Sequence, residues 1–162
     1  MTRYKRSGTG RGTSVPWLVG LLILLLLFLR GKSSSAMGSS PQSTIRSLLT
    51  EAGYSDRVAT WWTAVSNLET GAWTSKLFRD YNNLFGMKQP LTRFSYSLGA
   101  STSPPGYATF SSQADSVRDL IAYMKEFNYP KDFSSIDDMV AFMKSKKYFE
   151  DPLYLEKVKG RL

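Results

Sequence analysis

The sequence predicts an α+β domain, mainly α, preceded by one transmembrane helix. Three observations carry that reading. Within residues 43–162, four segments repeat apolar residues at helical spacing. One stretch, residues 88–109, replaces that period with alternation broken by Gly and Pro. Upstream, Val15 to Leu29 (VPWLVGLLILLLLFL) is a run of 15 residues without a charge.

Residues 1–14 are basic and Gly-rich, with an Arg-Gly pair at 11–12. They read as a disordered tail flanking the membrane segment. Its only other suggestion is weak contact with nucleic acid or anionic lipid. Residues 15–30 read as a transmembrane helix or uncleaved signal anchor. At about 1.5 Å per residue the uncharged run spans roughly 22 Å, against a hydrocarbon core of about 30 Å. Arg11, Arg30 and Lys32 can snorkel to close that gap. Four basic residues precede the run (Arg3, Lys5, Arg6, Arg11). The positive-inside rule keeps them in the cytoplasm, or inside a virion if the membrane is a virion's. The following domain then faces the periplasm or another extracytoplasmic space, and the lipid bilayer is a partner through residues 15–29. Ser34-Ser35-Ala36 offers a signal-peptidase site, whereas the Leu-dominated run favours retention. Residues 31–42 are a Ser/Gly-rich linker.

The domain is expected over residues 43–162. Ser43 or Thr44 caps a first helix carrying Ile45, Leu48 and Leu49 on one face, and Gly53 ends it. Ser55 caps a second, where Val58, Trp61, Trp62, Val65 and Leu68 form a buried stripe as far as Thr70-Gly71. A short helix follows near Ser75–Asp80. Phe94, Tyr96 and Leu98 then alternate with polar residues, amid Gly99, Pro104, Pro105 and Gly106, as in a β-hairpin or long irregular flap. Ser111 or Ser112 caps a helix with Val117, Leu120, Ile121, Met124 and Phe127 on one face. Ser135 opens another with Ile136, Met139, Val140, Phe142 and Met143. Asp151 and Pro152 read as N-cap and N1 of a last short helix.

Composition restricts the chemistry. The chain has no Cys and no His. Zinc sites built on those residues, Cys–His nucleophiles and Ser–His–Asp triads are therefore excluded, and no metal or cofactor is implied. Net charge is +8, but residues 1–40 hold six basic residues and no acid. The remainder is nearly balanced and gives little reason to expect a nucleic-acid surface. Protons must move through carboxylates, Tyr, Lys or water. Among the carboxylates Glu69 stands out, at the end of an aromatic-rich helix and just before Gly71-Ala72-Trp73. Trp61, Trp62, Trp73 and Phe85 are expected to surround it. Desolvation and the C-terminal end of the helix dipole both favour its neutral form. A carboxyl protonated near neutral pH suits general-acid attack on a glycosidic oxygen. A solvated helix-end glutamate is the alternative reading of the same spacing.

Two ordered pieces go further: Glu69-Thr70-Gly71-Ala72-Trp73, then Asp80-Tyr81-Asn82-Asn83-Leu84-Phe85-Gly86-Met87-Lys88. Two more follow, Tyr107-Ala108-Thr109-Phe110-Ser111-Ser112 running into Asp115–Asp119, and Tyr148-Phe149-Glu150-Asp151-Pro152-Leu153-Tyr154. Together they resemble the signature of the peptidoglycan glucosaminidases of glycoside hydrolase family 73, which includes flagellar-rod muramidases, autolysins and phage lysins. The resemblance covers roughly residues 43–160. It implies a lysozyme-like fold with a helical lobe, a small β-hairpin lobe and a groove for peptidoglycan glycan strands. It implies Glu69 as general acid and Tyr148 as a second catalytic residue lining the site. Trp73, Tyr81, Asn82, Asn83, Phe85, Tyr107 and Tyr154 are its implied substrate contacts. Core packing is the competing reading for Phe85, and turn-holding for the Asn pair. The implied activity is cleavage of the β-1,4 glycan as an endo-β-N-acetylglucosaminidase, including as a phage virion or host-lysis enzyme.

One departure bears on mechanism. Many members of that family carry a second acid in the β lobe, yet Gln89 to Gln113 contains no Asp or Glu. Asp80, Asp115 and Asp151 are the remaining candidates to supply it, as is the substrate's N-acetyl group. Glu69 acting alone would instead make a lytic transglycosylase or muramidase cutting the other glycosidic bond. A non-catalytic peptidoglycan-binding module is the remaining alternative. The sequence leaves oligomeric state open.

Overall fold

The structure is a computed structural model and describes residues 39–162. The expected tail, transmembrane helix and most of the linker fall outside the described residues. Among the described residues, no helix is long and apolar enough to cross a membrane.

The chain enters the fold at Ser40. Its side chain accepts from Ser43 N at 3.2 Å and caps helix α1 (Pro41–Glu51). The helix thus starts ahead of the expected Ser43 or Thr44, and residues 41 and 42 belong to it rather than to the linker. Pro41 explains the difference: at N1 its missing N–H is no loss and its fixed φ suits a helix. Tyr54, whose N–H reaches back to Leu49 O, and Gly53 at φ +85° close this helix.

Helix α2 (Asp56–Glu69) and helix α3 (Lys76–Tyr81) start at Ser55 and Ser75, each accepting from the amide three residues on. Two antiparallel strands follow, β1 (Gly99–Thr102) and β2 (Pro105–Thr109), with Gly99 opposite Thr109 and Ala100 opposite Ala108. Helices α4 (Gln113–Glu126) and α5 (Ile136–Ser145) are capped by Ser112 and Ser135. Helix α6 (Tyr154–Lys159) ends the fold. The described residues are therefore mainly helical with a small two-stranded sheet.

The apolar stripes meet in one core. Helix α1 packs on α2 and α4, and α6 packs on α2 and α5. Trp62 is the largest side chain with no exposure. Its ring lies 5.9 Å from Phe85 and 5.4 Å from Tyr148, both edge-on. Such pairs add about 0.5–1.5 kcal/mol each beyond the area they bury.

One open reading is decided and one expectation is corrected. Phe94, Tyr96 and Leu98 do not form a strand, and Phe94 and Leu98 are exposed. Asp119, fully buried on α4, draws this segment away from any ladder. It accepts from Ser95 Oγ at 2.6 Å and Tyr96 N at 3.0 Å, and pairs with Arg93 at 2.6 Å. The hairpin begins only at Gly99. Asp151 and Pro152, in turn, do not cap α6. Asp151 Oδ1 accepts from Leu153 N at 2.9 Å, making a turn ahead of the helix. Leu153 then occupies the N-cap with no side-chain bond.

Candidate active site

Glu69 is the last residue of α2, and the chain turns sharply beyond it. Gly71, Ala72 and Trp73 all have φ near +57°. For Ala and Trp this left-handed conformation costs about 1 kcal/mol or more each. Thr70 holds the turn: its carbonyl accepts from Thr74 and Ser75, and its hydroxyl accepts from Trp73 N at 3.0 Å. The strained turn sends the chain back and leaves the end of α2 bare beside the segment from Phe85 to Lys88.

The Glu69 carboxylate is half-buried. Tyr154 donates to its Oε1 at 2.7 Å. Its Oε2 lies over Gly86, at φ +61°, where a Cβ would come within 3.0 Å of it. Glycine there meets both requirements, the positive φ and the close approach. Burial raises the Glu69 pKa above the ordinary carboxylate value, and the Tyr154 bond pulls it partly back. With Oε1 taken by a phenol proton, the acid proton belongs on Oε2.

Glu69 and Tyr148 border two open cavities. The larger, of about 400 Å³, is also lined by Phe85, Gly86, Lys88, Arg93, Tyr123, Glu126, Lys146 and Lys147. The smaller, of about 340 Å³, adds Phe149, Glu150, Asp151, Tyr154 and Lys157. Volumes of this size suit sugar units. A chain laid through both passes the Glu69 carboxyl.

Of the residues expected at the site, the structure brings together Glu69, Phe85, Tyr148 and Tyr154. Tyr148 donates to Phe85 O at 3.1 Å, tying the C-terminal motif to the floor loop. Burial pushes the Tyr148 and Tyr154 phenols well above their ordinary values, so both stay protonated donors. Phe85 is nearly buried, and its side chain is mainly core.

The other expected contacts line neither cavity. Asn83 is fully buried and its amide is spent within the fold. It donates to Met87 O and Ala108 O, both at 2.9 Å, and accepts from Phe85 N and Met87 N. Asn82, at φ +52°, terminates α3 and donates to Phe110 O. The Tyr81 hydroxyl reaches Ser103 O at 3.3 Å. Tyr107 lies under Lys88, whose Nζ is 3.4 Å from its ring centre. Trp73 turns back along α2 to donate to Ser66 Oγ, and Trp62 stands a layer behind Phe85 and Tyr148. Trp61 packs against the core and lines neither cavity, so the low-dielectric wall beside Glu69 is Phe85 and two tyrosines rather than three tryptophans.

The candidate second acids also differ. Asp80 pairs with Lys76 at 2.5 Å, away from both cavities. Asp115 is held by Ser111, Ser112 and Arg118. Asp151 lines the smaller cavity but is engaged by Lys157. Sequence reasoning passed over Glu126, which lines the larger cavity together with Glu69. Its signal was positional: Tyr123 and Glu126 on α4 and Phe127 at its C-cap stand at i, i+3 and i+4 and all line that cavity.

Comparisons with known proteins add the following. Residues 47–162 match the glucosaminidase family, described as mannosyl-glycoprotein endo-beta-N-acetylglucosaminidase. Among solved structures, the chain is similar to a type VI secretion system effector-immunity complex from Pseudomonas protegens. Identity is 18%, with a TM-score of 0.55, covering 75% of this chain and 90% of that one. It is also similar to the catalytic domain of the autolysin Auto from Listeria monocytogenes. There identity is 21% and the TM-score 0.44, over 86% of this chain and 92% of that one. No curated protein sequence matches the chain.

Proposed function

This chain belongs to the glucosaminidase family of glycoside hydrolases, and from that premise we propose that it cleaves the β-1,4 glycan strands of peptidoglycan with Glu69 as general acid. The observation that carries the proposal is a half-buried carboxyl of raised pKa, bonded to a phenol and standing at the border of two sugar-sized cavities. Glu69 Oε2 protonates the glycosidic oxygen as its bond to the anomeric carbon breaks. Positive charge then grows on the sugar ring, and the new Glu69 carboxylate stabilises it. Tyr154 holds the carboxyl in place and bears part of the charge left on Oε1. Tyr148 holds the floor loop through its bond to the Phe85 carbonyl.

The group that attacks the anomeric carbon separates two readings. Water, or the substrate's own N-acetyl group, attacking at N-acetylglucosamine gives an N-acetylglucosamine end, and water attacking at the other glycosidic bond gives an N-acetylmuramic acid end. An intramolecular hydroxyl, deprotonated by Glu69 in a second step, gives a 1,6-anhydro end. The lack of a carboxylate in Gln89 to Gln113 supports the second reading. The four-part motif supports the first. We further propose that residues 15–29 tether the enzyme to a membrane with its domain outside the cytoplasm; alkaline extraction of membranes checks this, since a tethered chain stays in the pellet.

The deciding experiment digests purified peptidoglycan and a mannosyl glycoprotein, then reads the released ends by mass spectrometry. Release from peptidoglycan, lowered about 10²–10⁴-fold in Glu69→Gln, is the expected result. Wall binding without release would make the domain a binding module. Release from the glycoprotein alone would replace the substrate.

A further inference from the structure

We infer that Lys88, Lys146 and Lys147 form a cationic rim on the larger cavity that binds the carboxylates of the substrate's peptide stems. The inference rests on the peptidoglycan reading and adds to it the part of the substrate beside the sugars.

Three observations carry it. All three lysines line the cavity that Glu69 borders, and among the described residues none of them forms an ion pair. By contrast Arg93, on the same cavity, is committed to Asp119. Next, two of the three are held in place by groups that leave their charge intact. Lys88 Nζ sits 3.4 Å from the Tyr107 ring centre, and Lys146 Nζ sits 4.9 Å from that of Phe142. An aromatic face orients an ammonium without neutralising it. Finally, Lys147 occupies the left-handed position after α5, at φ +56°. Glycine is the usual residue there, and a side chain is retained at a cost in strain. The helix end does not require it, because Lys144 already stands in the last turn.

Three ammonium groups outnumber the two carboxyl side chains on this cavity, Glu69 and Glu126, and that surplus of positive charge fits an anion attached to the sugar. N-acetylglucosamine is neutral, and the lactyl carboxyl of N-acetylmuramic acid is neutral where the stem peptide is joined to it. The stem peptides of peptidoglycan carry free carboxylates beside the glycan, and amidation of those groups removes the charge. The rim would therefore favour free-acid stems over amidated ones and lose that preference in high salt.

The test measures binding to full-length chain carrying Glu69→Gln, so that substrate persists. The probes are labelled disaccharide-peptide oligomers with free carboxylates, and the same oligomers amidated with a carbodiimide and ammonia. Without further change the free-acid probe should bind about five- to tenfold more tightly. Combined Lys88→Gln, Lys146→Gln and Lys147→Gln should abolish that difference while leaving the amidated probe's Kd unchanged. Lys147→Gly, which relieves the backbone while removing one charge, should lose about twofold. Equal binding of the two probes before the lysines are changed overturns the rim, as does a triple variant that keeps the preference. Failure of the glycosidase reading looks different: the unsubstituted chain leaves the glycan uncut while the preference between probes persists.

Discussion

At the scale of single residues, Glu69 is shaped by three neighbours drawn from distant parts of the chain. Gly86 leaves room for Oε2, Tyr154 bonds Oε1, and the Phe85 side removes water. The opposing influences on its pKa make a signed prediction. Burial raises it, and the Tyr154 bond, which favours the carboxylate, lowers it. Tyr154→Phe removes only the second, so the Glu69 pKa rises further. The alkaline limb of the kcat/KM profile, where the acid loses its proton, should move to higher pH. A limb left in place, or moved to lower pH, would show that Tyr154 does not bond Glu69 in solution. Glu69 could be singled out from the sequence because its position at the end of an apolar helix is itself an electrostatic statement. The Asn82-Asn83 pair could not be resolved that way. An amide that binds sugar and an amide that satisfies four backbone groups look alike in a motif. Only the bonds to Met87, Ala108 and Phe85 assign Asn83 to the second role.

At the scale of elements, the segment ahead of the hairpin depends on one buried ion pair. Asp119 is fully buried on α4, and Arg93, Ser95 and the Tyr96 amide all point to it. Asp119→Ala would leave the Arg93 guanidinium partly buried without its partner. It should destabilise the domain by about 3–5 kcal/mol in urea unfolding. Amide exchange over residues 91–98 should rise first, because nothing else bonds that segment as closely to the helices. Protection unchanged over those residues would mean that their order comes from elsewhere. Helices were legible because their signals are local. Ser55, Ser75, Ser112 and Ser135 each cap within three residues, and each apolar stripe repeats within a turn or two. The sequence left hairpin and irregular flap open for the segment ahead of β1, because its anchor is 24 residues away in sequence from Ser95. Alternation at Phe94, Tyr96 and Leu98 imitates a strand where a remote carboxylate sets the path.

At the scale of the whole molecule, the described fold starts with the Ser40 cap, and the weight of that start is open to test. A chain starting at Ser39 should melt in a single transition. One starting at Ser43 loses the Ser40 cap and the Pro41 start, and should be less stable by about 1 kcal/mol. Equal melting temperatures would place the boundary downstream. The general architecture, mainly helical with one small sheet, was readable because period and punctuation survive in a single sequence. The cavities were not, because each is lined by segments separated by tens of residues, as Glu69, Glu126 and Lys147 are. That separation has a consequence for synthesis. Glu69 leaves the ribosome 85 residues before the tyrosine that completes it. A nascent or prematurely stopped chain can therefore pack α1, α2 and α4 yet hold an unfinished acid.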